Sequence, residues 1–512
     1  MTQKPNVLIF CVDEMRADHM GCAGNRVVRT PQIDSLAAAG TLFNRACCNN
    51  PICMPARATL FTGLLPRDHG LRLNGQRLRP DLPVLPAVFK EAGYRTHSAG
   101  KLHLTPWIAS PSMGPASNPE CLEDWKKGRI RTFPTPYYGF DEVDFVGGHT
   151  SFIFGPYLDW LAERGGQPAQ LTPRLALEKP SGAPSCFKMG LPEELHYNRF
   201  IADATIRTIR ESARAGAPPF FAWCSFPDPH APLAPPAPYC NLYNPADVDP
   251  PVWDEGEVDR LPSFYRAVYE GRLRPNGVHN IRVPEAHWRE MIALTYGMIT
   301  HVDTEIGRVL AALRETGQDR NTIIVFTGDH GDMMGDHGLL WKSFFTFAGC
   351  IRIPLIVTAP GLPGGRVSDA LTSQIDLFPG VLDLAGVPAP GDEWGGDSTI
   401  YERGSVAPLR PRPGLSWRPV LEGRSAALHP SVVIENDDPT TGLQARALVT
   451  PTHRLTVYPG TGEGELFDLA ADPGEHVNRW LDCPDLKNTL TAELLDAYSR
   501  HTPAYPIPAG NA

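Results

Sequence analysis

The sequence predicts an α/β protein: a doubly wound, mostly parallel central sheet flanked by helices, with a smaller C-terminal α+β domain. Three observations predict it. Short, wholly apolar runs read as strands buried on both faces. Helical patterns with start and stop signals alternate with those runs. Two of the runs, residues 7–12 and 322–327, are followed within two residues by acids, Asp13-Glu14 and Asp329.

Residues 7–12 (Val-Leu-Ile-Phe-Cys-Val) end at Asp13-Glu14 and read as a central strand. Residues 30–40 predict a helix, with Thr30 as N-cap, Pro31 in the first position and Gly40 as the stop. A helix also starts after Pro55 and runs over 57–62, and another spans 85–92 and closes at Gly93. Residues 94–99 read as a short strand and 220–226 as a buried one. A long amphipathic helix covers 288–316 and ends at Gly317. Residues 322–327 and 353–358 supply the third and fourth central strands.

Residues 105–192 and 232–284 are Pro-rich and weakly periodic, the character of binding loops or lids. Residues 386–413 read as a connection. Three short apolar runs beyond it, at 432–434, 447–449 and 455–458, predict antiparallel strands, and 486–498 a helix with Asp485 as N-cap. The expected division is a catalytic domain over 1–399 and a smaller α+β domain over 400–512.

The chain has 512 residues, 42% of them apolar and 20% charged, which excludes a disordered protein. Its net charge of −10 argues against nucleic acid or an anionic membrane surface as partner. The first apolar run is too short for a signal peptide, and no run approaches the roughly 20 apolar residues of a membrane span. A cytoplasmic protein is expected. Of the 11 cysteines, ten read as reduced, mostly buried thiols; Cys53 stands apart.

In open α/β sheets, sites form outside the carboxyl ends of the strands. Asp13-Glu14 and Asp329-His330 would lie together there. Carboxylates so close repel as bare anions, and a divalent cation removes that cost.

Residues 52–63 read Ile-Cys-Met-Pro-Ala-Arg-Ala-Thr-Leu-Phe-Thr-Gly, containing Cys53-x-Pro55-x-Arg57. This segment resembles the sulfatase signature. Residues 93–103 (Gly-Tyr-Arg-Thr-His-Ser-Ala-Gly-Lys-Leu-His) resemble the second signature. Residues 225–232, with Pro227-Asp228-Pro229-His230, and 328–342, from Gly328-Asp329-His330-Gly331-Asp332 to Trp341-Lys342, resemble two further segments. Glu465-Leu-Phe-Asp-Leu469 and Asp472-Pro-Gly-Glu475 are similar to its C-terminal pattern. The chain is thereby identified as a member of the type I sulfatase family, within the alkaline phosphatase superfamily.

The resemblance implies a sulfuric ester hydrolase in which Cys53 is oxidised to formylglycine by a formylglycine-generating enzyme. One hydroxyl of the hydrated aldehyde would attack sulfur; deprotonation of the other would expel sulfate. Asp13, Glu14, Asp329 and His330 are implied to hold a metal together with the residue-53 oxygen. Arg57 would favour the deprotonated nucleophile, and Lys101 and Lys342 would hold sulfate oxygens. His103 would take the second hydroxyl's proton and His230 would protonate the leaving oxygen, assisted by Lys342. Asn74 is a further candidate contact to sulfate. His69, His97, His337 and Asp332 are read as structural.

Many sulfatases carry Asp-Asp and Asp-Asn where this chain has Asp13-Glu14 and Asp329-His330. Calcium is the first expectation, and the imidazole admits manganese or zinc. The Asp-His pair also occurs in phosphonate monoester hydrolases and choline sulfatases. Those phosphonate hydrolases replace the positions of Lys101 and His103, so a small-molecule sulfate ester ranks first. A phosphonate monoester or phosphodiester is the alternative, and a non-enzymatic metal-binding protein is the remote one. The alcohol half of the substrate and a homo-oligomeric state are left open.

Overall fold

The computed structural model describes residues 4–108, 114, 116–275, 282–390 and 412–500. Eight strands form the main sheet: β1 (Asn6–Val12), β2 (Thr41–Phe43), β3 (Arg95–Gly100), β4 (Glu142–Phe145), β5 (Phe220–Phe226), β6 (Thr322–Gly328), β7 (Leu355–Thr358) and β8 (Arg366–Ser368). Their spatial order is β4-β3-β5-β1-β6-β7-β2-β8. The first five in that order are mutually parallel. β1, β5 and β6 are buried along their whole length, which is why they read as continuous apolar runs.

The expected strand at 353–358 forms as β7, but it runs antiparallel to both neighbours. Apolar content reports burial on two faces and carries no strand direction, so the sequence could not separate these cases. β2, β4 and β8 were not legible either. They are three or four residues long, too short for a period to emerge.

The sheet is flanked by α1 (Pro31–Ala39), α2 (Cys53–Thr62), α3 (Leu85–Glu91), α4 (Tyr197–Ser212), α5 (Glu285–Glu315) and α6 (Leu377–Ala385). One apolar layer packs α2, α3 and α6 on the face of β1 that carries Val7 and Ile9. A second packs α1, α4 and α5 on the face that carries Leu8 and Phe10. This is the doubly wound arrangement. α4 escaped the sequence reading because its apolar stripe is interrupted by Asn198, Thr205 and Thr208, all of which are nevertheless buried.

Thr30 occupies the N-cap position of α1, but its hydroxyl does not cap. It accepts from Gly21 N at 2.8 Å and donates to Asp34 at 3.0 Å. The free N–H groups of the first turn go instead to Asp303 on α5, which accepts from Ile33 at 2.8 Å and from Gln32 at 3.0 Å. A cap supplied from another helix also docks the two helices.

Beyond the catalytic sheet, β9 (Val432–Asp437), β10 (Gln444–Val449), β11 (His453–Val457) and β12 (Gly464–Asp468) form an antiparallel sheet. Helix α7 (Pro484–Arg500) covers it through Leu490 and Leu494. The expected boundary at 399/400 lies outside the described residues. Among the described residues, no helix is long and apolar enough to cross a membrane.

Replacing Asp303 by Ala is expected to remove about 1–2 kcal/mol of stability, measured by urea unfolding. Asp303→Asn, which keeps an acceptor oxygen, is expected to lose less.

Candidate active site

Five adjacent parallel strands end at one sheet edge, and each delivers a polar group there. In spatial order these are His149 after β4, Lys101 and His103 after β3, His230 after β5, Asp13 and Glu14 after β1, and Asp329 and His330 after β6. The turn after β3 depends on Gly100. Its φ is +100°, and a Cβ there would fall 1.9 Å from the Ser225 carbonyl oxygen. The close approach lets Lys101 N donate to that same oxygen at 3.1 Å.

α2 fills the space above the sheet edge, buried along its entire length. Cys53 is its first residue, so the helix's unsatisfied N–H groups and positive end point at this side chain. Asn74 Oδ1 accepts from Met54 N at 3.2 Å, which places Asn74 as a partner of the α2 first turn, beside Cys53. One turn on, Arg57 is wholly buried. Its Nε donates to Asp329 at 2.8 Å, and Nη1 donates to Lys101 O at 2.9 Å and to Ser225 Oγ at 3.0 Å.

Ligand atoms of Asp13, Cys53, Asp329 and His330 lie within 4.8 Å of one another, all four residues buried. His330 Nδ1 donates to Gly331 O at 2.9 Å, which fixes the tautomer and leaves the Nε2 lone pair facing Cys53 Sγ at 3.1 Å. Asp13 Oδ1 is buried without a hydrogen bond. A lone pair and an orphaned carboxylate oxygen converging on one point suit a cation.

Glu14 stands outside this group of four. Its Oε2 lies 3.0 Å from His230 Nε2 and 2.6 Å from Lys342 Nζ. The extra methylene relative to Asp carries its carboxylate to the neighbouring cations. Burial alone would raise its pKa; His230 and Lys342 reverse that and hold it well below the usual carboxylate range. Burial opposes the charge on His230, yet Glu14 wins and raises His230 to about 9. Its Nδ1 donates to Ala231 O at 2.7 Å, so Nε2 is the nitrogen turned inward.

Lys101 is wholly buried and pairs with Asp13 Oδ2. Burial would raise Asp13, but Lys101 and His230 outweigh it and hold this carboxyl well below its ordinary value. His103 stacks on Trp107 at 3.8 Å. Burial and the nearby Lys101 charge push His103 well below its usual pKa, so it is neutral. Its turn is set by Glu120, which accepts from the N–H groups of His103 (2.6 Å), Leu104 (2.8 Å) and Thr105 (3.2 Å).

The sequence reading missed His149. Its Nε2 lies 2.8 Å from Lys101 Nζ and 3.0 Å from Asp13 Oδ2. Its ring stacks on His230, with centroids 3.5 Å apart and planes 5° from parallel. The available signal was Gly147-Gly148-His149 directly after Phe145-Val146, a strand end opening into a turn. It was hidden inside a Pro-rich stretch.

The chain is matched over residues 5–387 by the family described as Sulfatase. It is 29% identical over 504 residues to an arylsulfatase of Clostridium perfringens, covering 93% of this chain and 90% of that enzyme. It is 25% identical to a choline-sulfatase of Rhizobium meliloti, covering 93% and 82%. The phosphonate monoester hydrolase of Agrobacterium radiobacter superposes with a TM-score of 0.80 at 25% identity, covering 98% and 96%. The family match and the arylsulfatase likeness thus mark a hydrolase of sulfuric esters. The chain belongs to the sulfatase family.

His149→Ala is expected to lower kcat/KM by about tenfold or more, since it frees Lys101 from one of its two fixed partners. Circular dichroism is expected to stay unchanged, because the ring is only partly buried.

Proposed function

We propose that this chain hydrolyses a small-molecule sulfate ester of the aryl type, releasing sulfate and an alcohol or phenol, at Cys53 in its formylglycine form. The observation that supports this most is the position of Cys53 at the positive end of a buried helix, against His330 Nε2 and within the fields of Arg57, His230 and Lys342. A formylglycine hydrate supplies two hydroxyls on one carbon, one to attack sulfur and one whose deprotonation releases sulfate.

Asp13, Asp329 and His330 would hold a divalent cation with the residue-53 oxygen, and Glu14 borders them. The cation would polarise sulfate oxygens and acidify the nucleophile. Calcium comes first for a mainly oxygen site, and the His330 nitrogen admits manganese or zinc.

The other groups divide by charge. Arg57 keeps a fixed positive charge beside residue 53, which favours an oxyanion there. Lys101 and Lys342 neutralise sulfate oxygens, whose charge persists through the transition state. His230, protonated through neutral pH, gives its Nε2 proton to the leaving oxygen. Neutral His103 has a buried nitrogen without a partner, the state a proton acceptor requires. Asn74 would steady a bound sulfate as well as the α2 first turn. Maturation by a formylglycine-generating enzyme completes the scheme.

The test joins two measurements. The peptide spanning Cys53 is expected to show the mass of CHO in place of CH2–SH. Converted protein is expected to release sulfate from an aryl sulfate, and Cys53→Ala to lose that activity while remaining folded. Converted protein that turns over no sulfate ester would refute the proposal.

The superposition on a phosphonate monoester hydrolase favours a second activity, because both substrates present a tetrahedral anionic centre of similar size. For matched esters of one phenol, kcat/KM is expected to be higher for the sulfate. A preference for the phosphonate of about tenfold or more, worth about 1.4 kcal/mol in the barrier, would reverse the assignment.

A further inference from the structure

A second group of potential ligands lies apart from the strand-end site. Ligand atoms of Glu257, His337 and His476 fall within 4.8 Å of one another. Glu257 comes from the second Pro-rich stretch, His337 from the loop between His330 and Lys342, and His476 from the turn after β12. Glu257 and His337 are buried, and His476 is about one third exposed.

The arrangement is specific. His337 Nδ1 lies 2.9 Å from Glu257 Oε2, and His476 Nδ1 lies 2.5 Å from Oε1. Two imidazoles therefore present the same nitrogen to the two oxygens of one carboxylate. The His337 ring is held on Phe347, centroids 4.0 Å apart, and the Tyr269 hydroxyl donates to its carbonyl. His337 also adopts φ +55°, a left-handed conformation uncommon for a residue other than glycine. Both imidazoles line a cavity of about 470 Å3 shared with Arg16, Asp18, Asp336 and Arg352, and His476 is the exposed edge of the group.

We infer that Glu257, His337 and His476 form a second metal site, which takes a zinc-class divalent ion through two imidazole nitrogens and a carboxylate oxygen, the two Nδ1 protons that now reach Glu257 being released to solvent. Solvent from the cavity completes the coordination. Two nitrogens and one oxygen suit zinc and exclude the all-oxygen preference of calcium and magnesium. Tetrahedral zinc with bonds of about 2.0–2.2 Å sets its donors roughly 3.3 Å apart, and the ligand atoms here already lie within 4.8 Å of one another. Such an ion would fasten the Pro-rich stretch and the C-terminal sheet to the loop that carries Lys342.

A third group, His196, Asp228 and His301, is different. Asn198 N donates to His196 Nδ1, and the Asn198 amide faces His301 Nδ1. All three of these residues are buried, without the exposed edge that His476 gives the second group.

The experiment is metal counting on the full chain. Protein stripped by a chelator is reloaded with Zn2+, gel-filtered and assayed by mass spectrometry, beside His476→Ala, Glu257→Gln and Asp329→Asn. His476→Ala is expected to lose about one equivalent relative to the parent while keeping its circular dichroism. Asp329→Asn is expected to keep that equivalent and to lose the one at the strand ends, so failure of one site is separable from failure of the other. Co2+ loaded into Asp329→Asn is expected to give the visible band of a tetrahedral nitrogen site, absent once His476→Ala is added. Folded His476→Ala with undiminished zinc overturns the site and leaves an imidazole–carboxylate pair. If His476→Ala does not fold, the same criterion applies to Glu257→Gln, which preserves size and keeps one of the two acceptor oxygens.

Discussion

The guanidinium of Arg57 is the constraint on which the rest of the site depends. It is wholly buried, and its fork reaches the ends of three strands: Asp329 after β6, the Lys101 carbonyl after β3 and Ser225 near the end of β5. A buried charge is tolerated only when paired and hydrogen-bonded. Arg57 therefore stays in place only if α2 sits at one height and rotation above the sheet. That placement also aims Cys53, one helical turn earlier, at His330. Loss of Asp329 would strand the cation, and a buried pair broken on one side costs about 3–5 kcal/mol.

Electrostatic balance follows from the same crowding. Arg57, Lys101, Lys342 and protonated His230 face Asp13, Glu14 and Asp329 within a few ångströms. Burial alone would disfavour the charge on Asp13, Glu14, His230 and Lys342. Together they hold one another charged: Glu14 raises His230, and His230 with Lys342 depresses Glu14. The chain's global charge of −10 has little bearing here, because a site that excludes water feels its own neighbours first. Backbone strain gathers at the same edge. Glu14, His103 and Trp341, beside Lys342, all hold positive φ without being glycine. Such conformations persist where surrounding structure over-determines them, as Glu120 does for the His103 turn.

The two Pro-rich stretches prove to be structural contributors as well as loops. The first supplies Trp107 beneath His103, Glu120 behind it and His149 against Lys101. The second supplies Glu257 and the wall near His337. Apart from the short strand β4, their described residues add nothing to the main sheet, so they carry site geometry with little periodicity.

Much of the fold and site was legible in the sequence. β1, β5 and β6 announce themselves because burial on both faces demands unbroken apolar runs. The acids that follow them were expected at one edge because parallel strands must end together. Cys53, Arg57, Lys101, His103, His230 and Lys342 sit in segments whose residue order is itself the signal. Tertiary structure alone decided the direction of β7, the cap of α1 by Asp303 from 270 residues away, the turning of Glu14 toward His230 and Lys342, and the entry of His149. The physical reason is common to these cases. Apolar periodicity records whether a residue is buried, whereas partners of buried polar groups are chosen by distances between segments remote in the chain, and those distances exist only once the sheet has formed.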